Sequence, residues 1–217
     1  MNIVWHGYSC FRITENTHAG EVAVVTDPFA SEGNQKLPRN LTADIVLSSH
    51  DHARHNNIAA VGGNPFVINS PGEFEVKEIS VNGVPTYHDL AEGKEKGVNT
   101  MFYLVANDIH LVHLGDLKHK LAEQHMEEFH EIDVLMVPVG GGDVLDAKAA
   151  AEVIGQLEPR VIIPMHYRSG GLCSDCAEVD TFLKVMGAGK IEAVPKIKLT
   201  AKDLPQDEMR IILLSPQ

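Results

Sequence analysis

Basic residues are scarce in this chain. Its 217 residues include 18 Lys and Arg against 30 Asp and Glu, a formal net charge of −12. Binding to nucleic acid draws its strength from basic groups that displace counterions from phosphates, so no nucleic-acid partner is expected. Long apolar runs are also missing. None approaches the roughly 20 residues that a membrane helix needs, and no membrane partner is expected. The start, "MNIVWHGYSCFRI", has no basic segment followed by a long apolar one, and the expected location is cytoplasmic. Cysteine is limited to three residues, too few for a disulfide scaffold at this length. Cys10 lies in an apolar run and reads as buried packing. Cys173 and Cys176 make a C-x-x-C with no second pair, and are expected to be unpaired thiols in a loop and at a helix start. There is no low-complexity tract and no repeat at solenoid spacing.

What is present is ordinary for a folded domain: 44% apolar and 22% charged residues, with residues 1–217 read as one domain. Short apolar or alternating runs recur, each closed by turn residues. "NIVW", "CFRI", "EVAVVTDP", "DIVLSSH", "FVINS", "TMFYLVAND", "IHLVHLGD", "DVLMVPVGG", "RVIIPMH" and "MRIILL" have the length and β-branched content of strands. "AND" at 106–108 reads as a hairpin turn. Helices are predicted over 117–131, over 146–159 with Asp146 as N-cap, and over 174–189 with Ser174 or Asp175 as cap and Gly187 as stop. A shorter helix is predicted to start near Ala53. A strand-rich first part followed by alternating strand and helix implies a mixed sheet with helices packed outside.

Histidine is abundant, with twelve residues. His18, His119, His125 and His130 lie in polar contexts and read as surface residues. His110 and His113 alternate with apolar neighbours and read as satisfied strand histidines, His113 just ahead of Gly115 and Asp116. "SSHDHARHNN" gathers His50, His52 and His55. An H-x-H at a strand edge can aim two imidazole nitrogens at one cation, at ~2.0–2.1 Å for zinc. Strand-like runs also end at Asp116 and at His166, and His88 follows "VPTY". The ends of strands are where a rigid sheet can present side chains to one cleft.

With these motifs in this order, the chain resembles the metallo-β-lactamase-fold hydrolases over essentially its whole length. It is most similar to the short, single-domain branch that includes L-ascorbate-6-phosphate lactonase-like proteins. The resemblance implies an α+β fold, a four-layer αββα sandwich. It matches Asp27 in "VVTDPF" to the family's first motif, "HDHARH" to its H-x-H-x-D-H, and His88, Asp116 and His166 to the remaining three. It implies that His50, His52 and His88 hold one metal, that His55 and His166 hold a second, and that Asp116 bridges both as the catalytic carboxylate. Asp27 would stand behind the ligands and orient them. Zinc is the cofactor expected, as one or two ions, with manganese or iron as alternatives. The implied reaction is attack of metal-bound hydroxide on a small ester, lactone or phosphoester.

Arg54 departs from the pattern, standing where the family has a ligating aspartate. Arginine stays protonated and offers no lone pair. Three readings follow: the second site is weak or empty; Arg54 turns aside or binds an anionic substrate group; or Asp51 substitutes, against the extended-chain alternation that points it away from His50 and His52. The first of these gives the alternative function, a non-catalytic metal-binding or regulatory protein with a degenerate site. Tyr8 stands where the branch often has a histidine, with His6 two residues earlier, and both are candidates to face the pocket. Tyr8, Arg54 and Arg168 are the candidate substrate contacts. The glycines of "VPVGGGDVLDA" are expected to form a loop at the mouth of the site. The expected partner is a small-molecule substrate, with a homo-oligomer left open.

Overall fold

The structure, a computed structural model, describes residues 1–31, 36–89, 91, 93–94 and 97–217. Thirteen strands form among these residues: β1 (Asn2–Gly7), β2 (Cys10–Thr17), β3 (Gly20–Thr26), β4 (Ile45–Leu47), β5 (Phe66–Ile68), β6 (Gly72–Val76), β7 (Ile79–Tyr87), β8 (Val98–Ala106), β9 (Ile109–His113), β10 (Val134–Pro138), β11 (Val161–Met165), β12 (Ile197–Lys198) and β13 (Arg210–Ile211). They make two sheets. One has the order β12-β1-β2-β3-β4-β5, the other β13-β11-β10-β9-β8-β7-β6.

Both sheets are mixed. In the first, β1, β2 and β3 run antiparallel, and β3, β4 and β5 run parallel. In the second, β6 to β9 form an antiparallel meander, followed by parallel β9, β10, β11 and β13. The parallel strands read as continuous apolar runs because both their faces are covered, and "VLMVP" and "VIIPM" are buried at every position. One apolar core joins the sheets, with Ile3, Trp5, Phe11 and Leu47 from the first and Met101, Leu104, Leu111 and Leu135 from the second. At roughly 25 cal/mol per Å² of apolar surface buried, this shared core is what holds the sheets face to face. The metallo-β-lactamase sandwich is therefore present, with few helices.

Three α-helices occur among the described residues: α1 (Glu123–Met126), α2 (Ala147–Leu157) and α3 (Val179–Val185). The capping reading of α2 holds. The Asp146 side chain accepts from the Lys148 and Ala149 amides, and Glu158 ends the helix in a left-handed conformation ahead of Pro159. The helix predicted over 117–131 shrinks to one turn. Leu117 gives its carbonyl to the Leu145 amide at 2.9 Å, and Lys118 reaches the carbonyls of Gly142 and Val144, so tertiary partners hold this stretch extended. The helix predicted over 174–189 starts only at Val179, because residues 173–176 are tied in a turn. No helix begins near Ala53. The chain there is a turn in which the His55 and Asn56 amides share the His52 carbonyl, followed by a single 3-10 turn at Ile58–Ala60.

The expected hairpin at 106–108 joins β8 to β9, with Asn107 and Asp108 at φ 46° and 57°. Strands β6 and β7 did not register in the sequence reading. "GEFEV" is too polar to read as a strand, and Gly83 and Pro85 interrupt "ISVNGVPTY". The register shows why glycine is needed: a Cβ at Gly83 would lie 2.9 Å from the Ser70 carbonyl oxygen.

Candidate metal centre

Five strands deliver the site from their C-terminal ends. Asp27 follows β3, His50 follows β4, His88 follows β7, Asp116 follows β9 and His166 follows β11. The first two come from one sheet and the last three from the other, so the site draws on the strand ends of both sheets. Asp27 and His166 lie at positive φ, 39° and 51°, a conformation that side chains other than glycine rarely adopt. His166 is held there by its amide, which donates to the Tyr8 carbonyl at 3.0 Å.

Asp116 is the hub. Its Oδ2 lies 3.1 Å from His55 Nε2, 3.5 Å from His166 Nε2 and 3.6 Å from His88 Nε2. Its amide donates to Asn99 Oδ1 at 2.9 Å, and the Ser9 hydroxyl reaches Oδ1 at 3.4 Å. Gly115 precedes it at φ 58° with the Asn99 side chain filling the space a Cβ would need, so only glycine fits this turn. His113 supports the same turn. Its Nε2 donates to the Ser9 carbonyl at 2.9 Å, and its Nδ1 accepts the Gly115 amide at 3.2 Å.

Asp27 stands behind the histidines. It accepts the Ser49 amide and the Ser49 hydroxyl, both at 2.7 Å, and the Nδ1–H of His55 at 2.9 Å. Because the Ser49 hydroxyl spends its hydrogen on Asp27, it can only accept from His50 Nδ1, 3.0 Å away. Both imidazoles therefore carry a proton on Nδ1 and direct Nε2 inward. The buried Nε2 of His50 has no hydrogen-bond partner, and that of His55 meets only the carboxylate of Asp116, an inward-facing pair of nitrogens that a cation could take up.

Charge follows from this arrangement. Burial and the neighbouring His55 push His50 down to about 4. His55 is fully buried, which opposes its charged form, but Asp116 and Asp27 outweigh burial and raise it to about 10. Burial disfavours the charged carboxylate of Asp116, yet His166 and His55 hold it well below the usual carboxylate range. Burial lowers His166 and His52.

Among the described residues four groups of side chains bring one ligand atom each to within 4.8 Å of one another: His50, His88 and Asp116; His55, Asp116 and His166; His50, His52 and His55; and His166, Cys173 and Cys176. The second and third histidines expected around the first metal thus part company. His52 is exposed and groups with His55 instead of His88. The cleft around these residues has a volume of about 290 Å³ and is lined by His50, Asp51, His52, Arg54, His55, His88, Asp116, Asp143 and His166. Asp143, at the end of the triglycine loop, was not foreseen, although that loop was expected at the mouth.

The candidate substrate contacts separate. Arg54 lines the cleft, with its guanidinium 5.0 Å from the centroid of the Tyr8 ring. Tyr8 is buried beneath, 5.5 Å from His166 between ring centroids. Arg168 is not part of the lining. It pairs with Glu178 at 3.0 Å on the exposed side of the chain. His6 bonds the Gln217 carbonyl at 3.0 Å, because a bulge at Gly7 breaks its register with Tyr8. Asp51 accepts from Asn56 at 2.8 Å. Cys173 and Cys176, expected as unpaired thiols, form a disulfide. The three-residue spacing closes because the turn brings their Cα atoms to 5.3 Å. Cys10 is free and buried, as expected.

Comparison with known proteins agrees with this fold. The profile of the family described as Beta-lactamase superfamily domain matches residues 2–166. A UPF0173 metal-dependent hydrolase from Thermoplasma acidophilum is 24% identical, covering 91% of this chain and 96% of its own. Another from Thermococcus onnurineus is 29% identical, covering 83% and 90%. A Thermotoga maritima member of the metallo-beta-lactamase superfamily superimposes with a TM-score of 0.80 at 37% identity, covering 100% of this chain and 99% of its own.

Proposed function

Because the chain belongs to the family of beta-lactamase superfamily domains and is a metal-dependent hydrolase at the level of that family, we propose that it hydrolyses a small ester, lactone or phosphoester carrying an anionic group. The observation that carries this reading is the convergence of three Nε2 atoms on Asp116 Oδ2, at 3.1 to 3.6 Å, with the unpartnered Nε2 of His50 beside it. His50, His88 and Asp116 would hold one ion, with His52 completing the set from the rim. His55, His166 and Asp116 would hold the other. Zinc suits so many imidazoles, and manganese or iron fit the same donors. The ion, when bound, supplies a water activated near neutral pH and positive charge for the substrate oxygen.

The chain's own residues do the rest. Asp116, held ionised, serves as the shared carboxylate. Asp27 fixes the ring of His55, and Ser49 fixes that of His50. Arg54, stacked on Tyr8 at the wall of the cleft, holds the anionic part of the substrate, since its planar fork matches phosphate or carboxylate. A lining of histidines, carboxylates and one arginine, with no large apolar side chain, favours a small polar substrate.

The second reading is a degenerate site that binds metal without catalysis. It is favoured by Arg54 standing where the family has an aspartate. One experiment separates the two: purify the wild type without added metal or chelator, measure ions per chain, and assay model lactones and phosphodiesters. Hydrolysis that His50→Ala abolishes supports the enzyme. Activity that appears only in Arg54→Asp supports the degenerate site.

A further inference from the structure

His166 differs from its neighbours in what holds its second nitrogen. His50 and His55 rest their Nδ1 atoms on oxygen, from Ser49 and Asp27. The Nδ1 of His166 faces the Sγ of Cys176 at 3.7 Å. A ring nitrogen of His166 and both sulfurs of Cys173 and Cys176 lie within 4.8 Å of one another, all three residues buried.

The sulfur cannot easily be elsewhere. The Cys173 amide donates to the Tyr8 hydroxyl at 3.3 Å, and the Cys176 amide donates to the Cys173 carbonyl at 3.0 Å. Gly140 packs against Cys176 so closely that a Cβ there would lie 3.0 Å from Sγ. Ser174 and Asp175, between the two cysteines, are exposed, so the buried pair lies directly beneath the surface.

The redox state of the pair decides what Sγ can offer. A disulfide sulfur has no hydrogen and can only accept. To use that acceptor His166 carries its ring proton on Nδ1, leaving the Nε2 lone pair, 3.5 Å from Asp116 Oδ2, for a cation. A thiol in the same place can donate to Nδ1, which moves the ring proton to Nε2, where the cation would sit. We propose that Cys173 and Cys176 are a reversible thiol–disulfide modification site that sets the ligand nitrogen of His166, with the disulfide as the cation-binding state. Cys176 is thus a positioning residue for a metal ligand, and the inference rests on the metal-centre reading above. The reagent class is a dithiol. One of its thiols attacks the bridge, the S–S bond breaks, and a mixed disulfide forms. Its second thiol then displaces the protein sulfur. The reductant leaves as a disulfide, having given two electrons and two protons that end as two protein S–H groups.

The test compares the oxidised chain with the chain reduced by a dithiol and desalted without oxygen. Each is titrated with manganese(II) and with cobalt(II). The oxidised chain should bind the ion of His55, Asp116 and His166 about tenfold more tightly, the low end of what losing a ligand-orienting partner costs. Cys173→Ser, which leaves Cys176 as a thiol, should bind like the reduced chain whether or not reductant is added. Equal affinity in the two states overturns the inference, as does tighter binding after reduction. A sulfur-to-cobalt absorption band in the reduced chain also overturns it, since the cysteines would then be ligands themselves. So does a pair that stays reduced, by mass, under a disulfide oxidant. If neither state binds any ion, it is the metal-centre reading that fails.

Discussion

Without metal, His55 as an imidazolium is held from two sides, its Nδ1–H by Asp27 and its Nε2–H by Asp116. With His55 raised from 6.5 to about 10, its contribution to folding is fully present below pH 6.5 and is lost as pH rises through about 10. The metal-stripped protein should therefore melt at progressively lower temperature across that window. Asp27→Asn, which removes one of the two charges, should flatten the slope. A cation must displace the same proton, so binding near pH 7 should release about one proton per ion at this site. Calorimetry in buffers of different ionisation enthalpy would read it. Arg54 makes a separate prediction. Arg54→Met removes a charge-assisted contact worth about 1.5–3 kcal/mol, so KM for an anionic substrate should rise about ten- to a hundredfold, while a neutral analogue is spared. Equal losses on both substrates would sink the clamp role.

At the scale of elements, what could be read in advance depended on whether local chemistry or a distant partner decided the conformation. Strands β4, β9 and β11 were legible because an apolar run closed by a ligand-type residue is a local signal. So was α2, whose Asp146 cap bonds amides two and three residues on. Asp146→Ala should cost about 1 kcal/mol, visible as a lowered midpoint in urea with an unchanged slope. The stretch 117–131 misled because its helix-favouring composition is overruled by Leu145 and by the carbonyls that Lys118 reaches. Strand β7 stayed hidden because Gly83 and Pro85 look like breakers until a close neighbour explains the glycine. Asp27, His50, His52, His55, His88, Asp116 and His166 were all named from the sequence. Their expected grouping agrees with the clusters His50, His88 and Asp116 and His55, Asp116 and His166, and departs only at His52, whose outward turn follows from backbone between β4 and the 3-10 turn. Asp143 carried no signal, being one aspartate after a run of glycines. The C-x-x-C reads as free thiols when no second pair is in sight, and the disulfide overturns that, because the turn that brings the two Cα atoms to 5.3 Å has no signal in the spacing.

At the scale of the whole molecule, the site is where the two sheets are joined. Asp27 and the His50–His55 segment belong to one, His88, Asp116 and His166 to the other. A bound ion stabilises the native state by an amount that grows with its free concentration over Kd, about 2.7 kcal/mol at a hundredfold excess. Chelation should therefore lower the melting temperature of the wild type and leave that of His50→Ala with His166→Ala little changed.

The same junction governs how long the fold lasts once formed. Residues far apart in the chain would be gripped by a single ion, so the first step of unfolding would have to break several bonds to it at once instead of peeling away one strand. Stripped of the ion, the seam can breathe, and the loops beneath it become substrates for proteases. The centre that would do the chemistry would also serve as a rivet, timing the protein's own turnover by the supply of metal around it.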